Sequence, residues 1–266
     1  MHVGLMVWEI GERSFHEQID WARANGFDAI AFHTAPILAL RRGIDPATMA
    51  PADLTRLSDA IEPFAEAHIH APFELFDVSL VSPNERVREG SIELIEQSLL
   101  LASRVDAATV TVHAGATGAA ISPDERKGLL TESLLALDET AAGLGVTIGL
   151  EATEHFDLFE RVDFEATGVT IDVGHLSFRD GAAYRPWHTL GGLIRHLGEK
   201  IVHVHLHDYD GQHDHLPLGS GRIDFAEIVE ALAEVDYAGT LCLELAPSPT
   251  LEDGYRRSLE RLRALL

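Results

Sequence analysis

Short β-branched runs alternate with amphipathic helical stretches from one end of this chain to the other, and no other feature constrains its fold as strongly. Neighbouring parallel strands need a long crossover between them, so such alternation reads as a parallel sheet sheathed by helices. Eight units can be counted. Their strand cores fall at 3–8, 29–33, 68–73, 109–113, 147–151, 169–172, 201–207 and 240–244. Helices are expected near 15–25, 51–67, 84–104, 123–144, 184–198, 225–235 and 251–266, and the fifth unit is the thinnest, with room for a helix only at 155–162. Ser122-Pro123-Asp124-Glu125 supplies a cap, a proline at the first helical position and acids in the first turn, and Ser82-Pro83-Asn84-Glu85 repeats the device.

Eight β/α units can close into a barrel or stay an open doubly wound sheet. The open form often carries a glycine fingerprint after its first strand, which Val7-Trp8-Glu9-Ile10-Gly11-Glu12 lacks. Gly115-Ala116-Thr117-Gly118 is too loose to serve, and no Walker lysine motif is present. The expectation is an α/β chain folded as a single (β/α)8 TIM barrel over residues 1–266. With 46% hydrophobic residues, a chain of this length can bury a full core unaided.

Side chains along a barrel strand point alternately inward and toward the helices, and the outward set is apolar. Val202, Val204 and Leu206 therefore leave His203, His205 and His207 inward; Val110 and Val112 leave His113. By the same parity Glu151, Asp172, Glu244 and His70 face in, with Trp8 and His33 completing the ring. All stand near the C-terminal strand ends, the face on which barrels carry their chemistry. One inward histidine is more often a hydrogen-bonded core residue than a ligand, and His68 and His203, a layer deeper, suit that reading. Six such residues in register (His70, His113, Glu151, Asp172, His205, Glu244) do not, because barrel interiors are normally filled by Val, Ile and Leu. Crowded buried carboxylates and imidazoles call for a cation, and the donor types suit zinc, cobalt, manganese or magnesium. Above the ring, Asp172-Val173-Gly174-His175 returns an imidazole, and the polar loop 208–224 brings His213, Asp214 and His215.

Cys242 is the lone cysteine, which excludes an internal disulfide and suits a reducing, cytoplasmic setting. No stretch is long and apolar enough to span a bilayer, so no membrane partner is expected. With 43 acidic against 20 basic residues, a net charge of −23 repels phosphate backbones and makes nucleic acid a disfavoured partner. Only Lys127 and Lys200 are lysines, as in a salt-adapted protein or a codon-biased genome. A homo-oligomer is compatible with the sequence.

Taken in order, His70-Ala71-Pro72-Phe73, Val112-His113-Ala114-Gly115, Leu150-Glu151, Ile171-Asp172-Val173-Gly174-His175, His205-Leu206-His207-Asp208, His215-Leu216-Pro217-Leu218-Gly219-Ser220-Gly221 and Leu243-Glu244 resemble the xylose isomerase-like barrel superfamily. That superfamily includes sugar isomerases and epimerases and the endonuclease IV group. For its ketose epimerases the resemblance implies one metal on Glu151, Asp172, His205 and Glu244. The two glutamates would exchange the proton beside the carbonyl, and the metal would stabilise the ene-diolate. It also implies substrate contacts at His175 and Asp157. For the endonuclease IV group it implies up to three zinc ions on His70, His113, Glu151, Asp172, His175, His205, His215 and Glu244. This chain departs from that group at His213-Asp214-His215, where an Asp-x-His is usual.

The reading that follows is a metal-dependent isomerase or epimerase of a small ketose or related hydroxycarbonyl compound. Glu151 and Glu244 form its acid/base pair, and Trp8, His33, Asp157, His175 and His207 line its carbohydrate site. The alternative is a multi-zinc phosphodiesterase, which the charge disfavours.

Overall fold

The computed structural model describes residues 1–7, 10, 12–35 and 44–266. Eight parallel strands close into a barrel in chain order: β1 (His2–Val7), β2 (Ala29–His33), β3 (Glu66–His70), β4 (Thr109–His113), β5 (Thr147–Glu151), β6 (Thr167–Asp172), β7 (Ile201–Leu206) and β8 (Thr240–Leu243). The helices around it are α1 (Phe15–Ala24), α2 (Pro51–Ile61), α3 (Glu85–Val105), α4 (Pro123–Leu144), the single turns α5 (Leu158–Arg161) and α6 (Val173–Leu176), then α7 (Leu190–Leu197), α8 (Phe225–Glu234) and α9 (Leu251–Arg263). None of the described helices is long and apolar enough to cross a membrane.

The parity argument holds in the packing. Val110, Val112, Ile148, Leu150, Ile171, Val204, Leu206, Leu241 and Leu243 are all buried under the helices and belong to one continuous core. Inside the barrel, Met6, Ala31 and Cys242 form a separate small cluster. Beside it Thr111 and Thr170 share a 3.3 Å hydroxyl contact, and the rings of His68 and His203 stack at 4.1 Å. Gly149 keeps this layer closed, because any Cβ there would overlap the Thr170 hydroxyl.

Several boundaries differ from expectation for local reasons. The helix expected over 51–67 ends at Ile61, just before Pro63, which cannot donate to a preceding turn. β3 accordingly starts early, at Glu66, and its pairing stops at His70, which leaves Phe73 in the following loop. Ser122 is the cap, as expected, and also forms a capping box with Glu125, whereas at the second Ser-Pro site Asn84 is the cap and the helix starts at Glu85. Trp8 lies outside the described residues.

Candidate metal centre

Strand register brings the polar residues together. His33 pairs with His70, His113 with Glu151, and Asp172 with His205, so ring neighbours sit at matching heights. Glu244 follows β8 directly, anchored by its N–H to the Leu206 carbonyl at 3.1 Å. Glu151 is the hub. Its Oε1 lies 2.7 Å from His175 Nδ1, and its Oε2 lies 3.2 Å from both His205 Nδ1 and His113 Nε2 and 3.9 Å from His70 Nε2. His205 Nδ1 is also 3.1 Å from Glu244 Oε2 and 3.8 Å from Asp172 Oδ2. Trp8 apart, the inward set therefore converges, with His33 Nε2 4.0 Å from Glu244 Oε1.

Burial alone would favour neutral forms throughout, and the outcome depends on which neighbours outweigh it. For Glu151 the charge of His113 and hydrogen bonds from His113, His175 and His205 prevail, holding it well below the usual carboxylate range. Asp172 is likewise held down against burial by His175 and His207. Against burial, His113 is pushed up to about 10, chiefly by Glu151, and His175 to about 11, chiefly by Asp172. Glu244 and Glu151 raise His205. His70 is instead held well below the ordinary imidazole range, by burial first and by the charges of His33 and His113 second. Ionised carboxylates thus converge on a few imidazoles that must supply all the balancing positive charge.

A divalent cation fits this donor set. Ligands about 2.1 Å from a tetrahedral ion lie roughly 3.4 Å apart, and adjacent ligands of an octahedral one about 3.0 Å apart. The 3.1, 3.2 and 3.8 Å separations of Glu244, Glu151 and Asp172 from His205 Nδ1 span those values. Glu151, Asp172 and His205 form one compact ligand group, and His70, His113 and Glu151 form a second that shares Glu151. His175, His207 and His215 are close enough to form a third, but chemistry argues against it. His207 Nδ1 accepts the His215 backbone N–H at 2.8 Å and Nε2 contacts Asp172 Oδ1 at 2.9 Å, so no lone pair is left for an ion.

His207, expected at the substrate, is instead fully buried behind Asp172, its ring lying flat against His215 at 4.0 Å. It braces the carboxylate, as groups behind metal ligands commonly do. Gly174 makes this possible, because a Cβ there would overlap the His207 ring. Asp157, in the loop after β5, pairs with Lys127 and Arg161. His213 is exposed and bound to Asp210, and Asp214 reaches His215 Nδ1 at 3.4 Å.

Three residues matter here that sequence reasoning missed. Glu74, just past Phe73, contacts His113 Nδ1 at 3.1 Å. Asp208 gathers the backbone N–H groups of Tyr209, Gly219, Gly221 and Ile223 within 3.1 Å and so shapes the loop that carries His215. Arg126 stands on the wall of a 280 Å³ cavity that opens over Glu151, His113 and His175.

A model of the xylose isomerase-like TIM barrel family matches residues 19–265. An uncharacterised protein of Methanocaldococcus jannaschii is 31% identical over 211 residues, covering 72% of this chain and 67% of the relative. Fructoselysine 3-epimerase of Escherichia coli O157:H7 is 26% identical over 201 residues, 72% of each chain. Among solved structures, a D-tagatose 3-epimerase-like protein superposes with a TM-score of 0.77 at 25% identity, over 99% of both chains.

Proposed function

Since the chain belongs to the xylose isomerase-like TIM barrel family, we propose that it is a divalent-metal-dependent epimerase or isomerase of a ketose or related hydroxycarbonyl sugar. The observation that carries this reading is the meeting of Glu151 and Glu244 at one imidazole nitrogen. They come from β5 and the end of β8, with β6 and β7 between them, yet stand 3.2 and 3.1 Å from His205 Nδ1. Inverting a carbon beside a carbonyl requires a base on one face and an acid on the other, and two carboxylates brought in from separated strands supply that pair.

Glu151, Asp172, His205 and Glu244 would hold the cation, which when bound polarises substrate oxygens as a Lewis acid. One glutamate removes the proton and the other returns it. His175, bonded to Glu151 Oε1, keeps that carboxylate oriented and ionised. The neighbouring Glu74–His113 pair places a proton beside Glu151 Oε2. Drug-sized ligands occupy pockets of about 300–1,000 Å³, so the 280 Å³ cavity suits a monosaccharide.

One observation favours a second reading, a multi-metal hydrolase: Glu151 is shared between two ligand groups. The net charge of −23 opposes the phosphodiester version of it. Glu244→Gln should abolish solvent deuterium exchange into ketoses while leaving the circular dichroism spectrum unchanged. Retained exchange removes Glu244 from the acid/base role.

A further inference from the structure

We infer that the substrate bears an anionic group, carboxylate or phosphate, at the end remote from the reacting carbon, and that Arg126 binds it. This rests on the epimerase reading and adds the substrate class. The cavity is lined by Glu151 with His113 and His175, by Glu74, which is paired with His113, and by Thr153, Phe178 and Arg126. Apart from the histidines, Arg126 is the only cationic side chain among these lining residues, in a chain whose acids outnumber its bases 43 to 20.

Arg126 is braced from behind. Nε donates to Glu154 Oε1 at 2.8 Å and Nη2 donates to the Gly115 carbonyl at 2.9 Å. These contacts fix the plane of the guanidinium and leave the Nη1 hydrogens unspent, in the geometry that grips carboxylate or phosphate oxygens. Its counter-ion Glu154 is 53% exposed, so water screens that pair. The Arg126 side chain itself is only 25% exposed, so an anion on the cavity side meets a cation better shielded from water than Glu154 is.

Neighbouring groups do not compete for this role. Lys127, the next residue, is taken by Asp157. The first turn of α4 carries Asp124 and Glu125, and the Ser122 capping box takes up the N–H groups of Ser122 and Glu125, so the acidic helix end itself offers an anion little. A ketose with its carbonyl end over Glu151 therefore finds in Arg126 the one permanently cationic side chain among the residues that line the cavity.

The test compares D-fructose, D-fructose 6-phosphate and D-fructuronate with manganese-loaded wild-type, Arg126→Gln, Arg126→Lys and Glu154→Gln proteins, read as deuterium exchange. Charge-assisted bonds of this kind change affinity roughly tenfold or more. The wild type should show a KM at least about tenfold lower for one or both anionic sugars than for fructose, and whichever is lower separates phosphate from carboxylate. Arg126→Gln should erase that difference by raising the KM for the anionic sugars, Arg126→Lys should keep part of it, and Glu154→Gln should deepen it. Equal KM values in the wild type, or an equal rise for fructose in Arg126→Gln, overturn the inference. If no sugar exchanges at all, the epimerase reading fails. Calorimetric binding of gluconate to metal-free protein then decides the Arg126 claim, which is lost if Arg126→Gln binds as well as the wild type.

Discussion

Gly174→Ala should damage this protein although alanine is the better helix former. Gly174 lies in the turn α6, where propensity alone would reward alanine by about 0.8–1 kcal/mol. The added methyl would overlap the His207 ring, which is held on three sides by Asp172, the His215 backbone N–H and the His215 ring. Overpacking of this kind costs about 1–3 kcal/mol. Displacing the ring also loses a buried bond to a carboxylate, another ~1.5–3 kcal/mol. If the backbone yields instead, it pulls on the His175 N–H that binds Asp172 Oδ1 at 2.7 Å, so the same carboxylate is disturbed either way. The net expectation is a loss of roughly 2–4 kcal/mol in urea unfolding, with metal affinity about 10–100-fold weaker. The decisive assay is a double-mutant cycle with His207→Ala. Without the ring the methyl has space, and Gly174→Ala should become neutral or mildly stabilising. An equal penalty in both backgrounds would falsify the steric account.

Protons and metal should compete at the site. With His113 and His175 raised to about 10 and 11, the stability they contribute to the metal-free protein is fully present below pH ~6.5 and is lost as pH rises through those values. A bound cation takes over their balancing charge, so manganese or zinc binding at pH 7 should release protons. Calorimetry in buffers of different ionisation enthalpy reads that release, and a buffer-independent heat refutes it. Asp208→Ala should strip the acceptor from four backbone N–H groups of the 208–224 loop. Limited proteolysis should then cut within that loop while the barrel persists, and wild-type resistance there would count against Asp208 as its organiser.

The strand-end ring was legible because parity in a barrel is binary: once Val110, Val112, Leu241 and Leu243 are assigned to the helices, His113 and Glu244 have only one way to face. Parity stops where strands stop. Glu74 lies in a 3-10 turn beyond β3, where no period applies, so its approach to His113 carried no sequence signal. Parity also places His207 inward without saying how deep. That depth depends on the missing Cβ of Gly174, a contact between β6–α6 and the end of β7 that no local pattern encodes. Asp208 stood beside the His205-Leu206-His207 run in plain view. Its role exists only once residues 219–223 fold back onto it, and the Gly219 and Gly221 that permit this read from sequence as generic loop glycines.

The number of metals follows from lone pairs more than from proximity. Around His205, the carboxylates of Glu151, Asp172 and Glu244 bring three anionic donors within 3.8 Å of one nitrogen, the strongest demand for a cation among the described residues. The group His70, His113 and Glu151 is half prepared. His70 Nδ1 is spent on the Ala71 carbonyl at 2.8 Å, which leaves Nε2 toward Glu151 on a ring kept neutral by burial. His113, however, is held as a cation between Glu74 and Glu151, so a second ion must first expel that proton. In the group of His175, His207 and His215, His207 has no lone pair to give. Elemental analysis after stoichiometric loading and gel filtration at pH 7 should therefore return about one metal per chain, with a second binding more weakly and gaining affinity as pH rises. Two or three tightly held zinc ions at pH 7 would show that the His113 proton is no barrier. The single-metal epimerase would then yield to the multi-metal hydrolase.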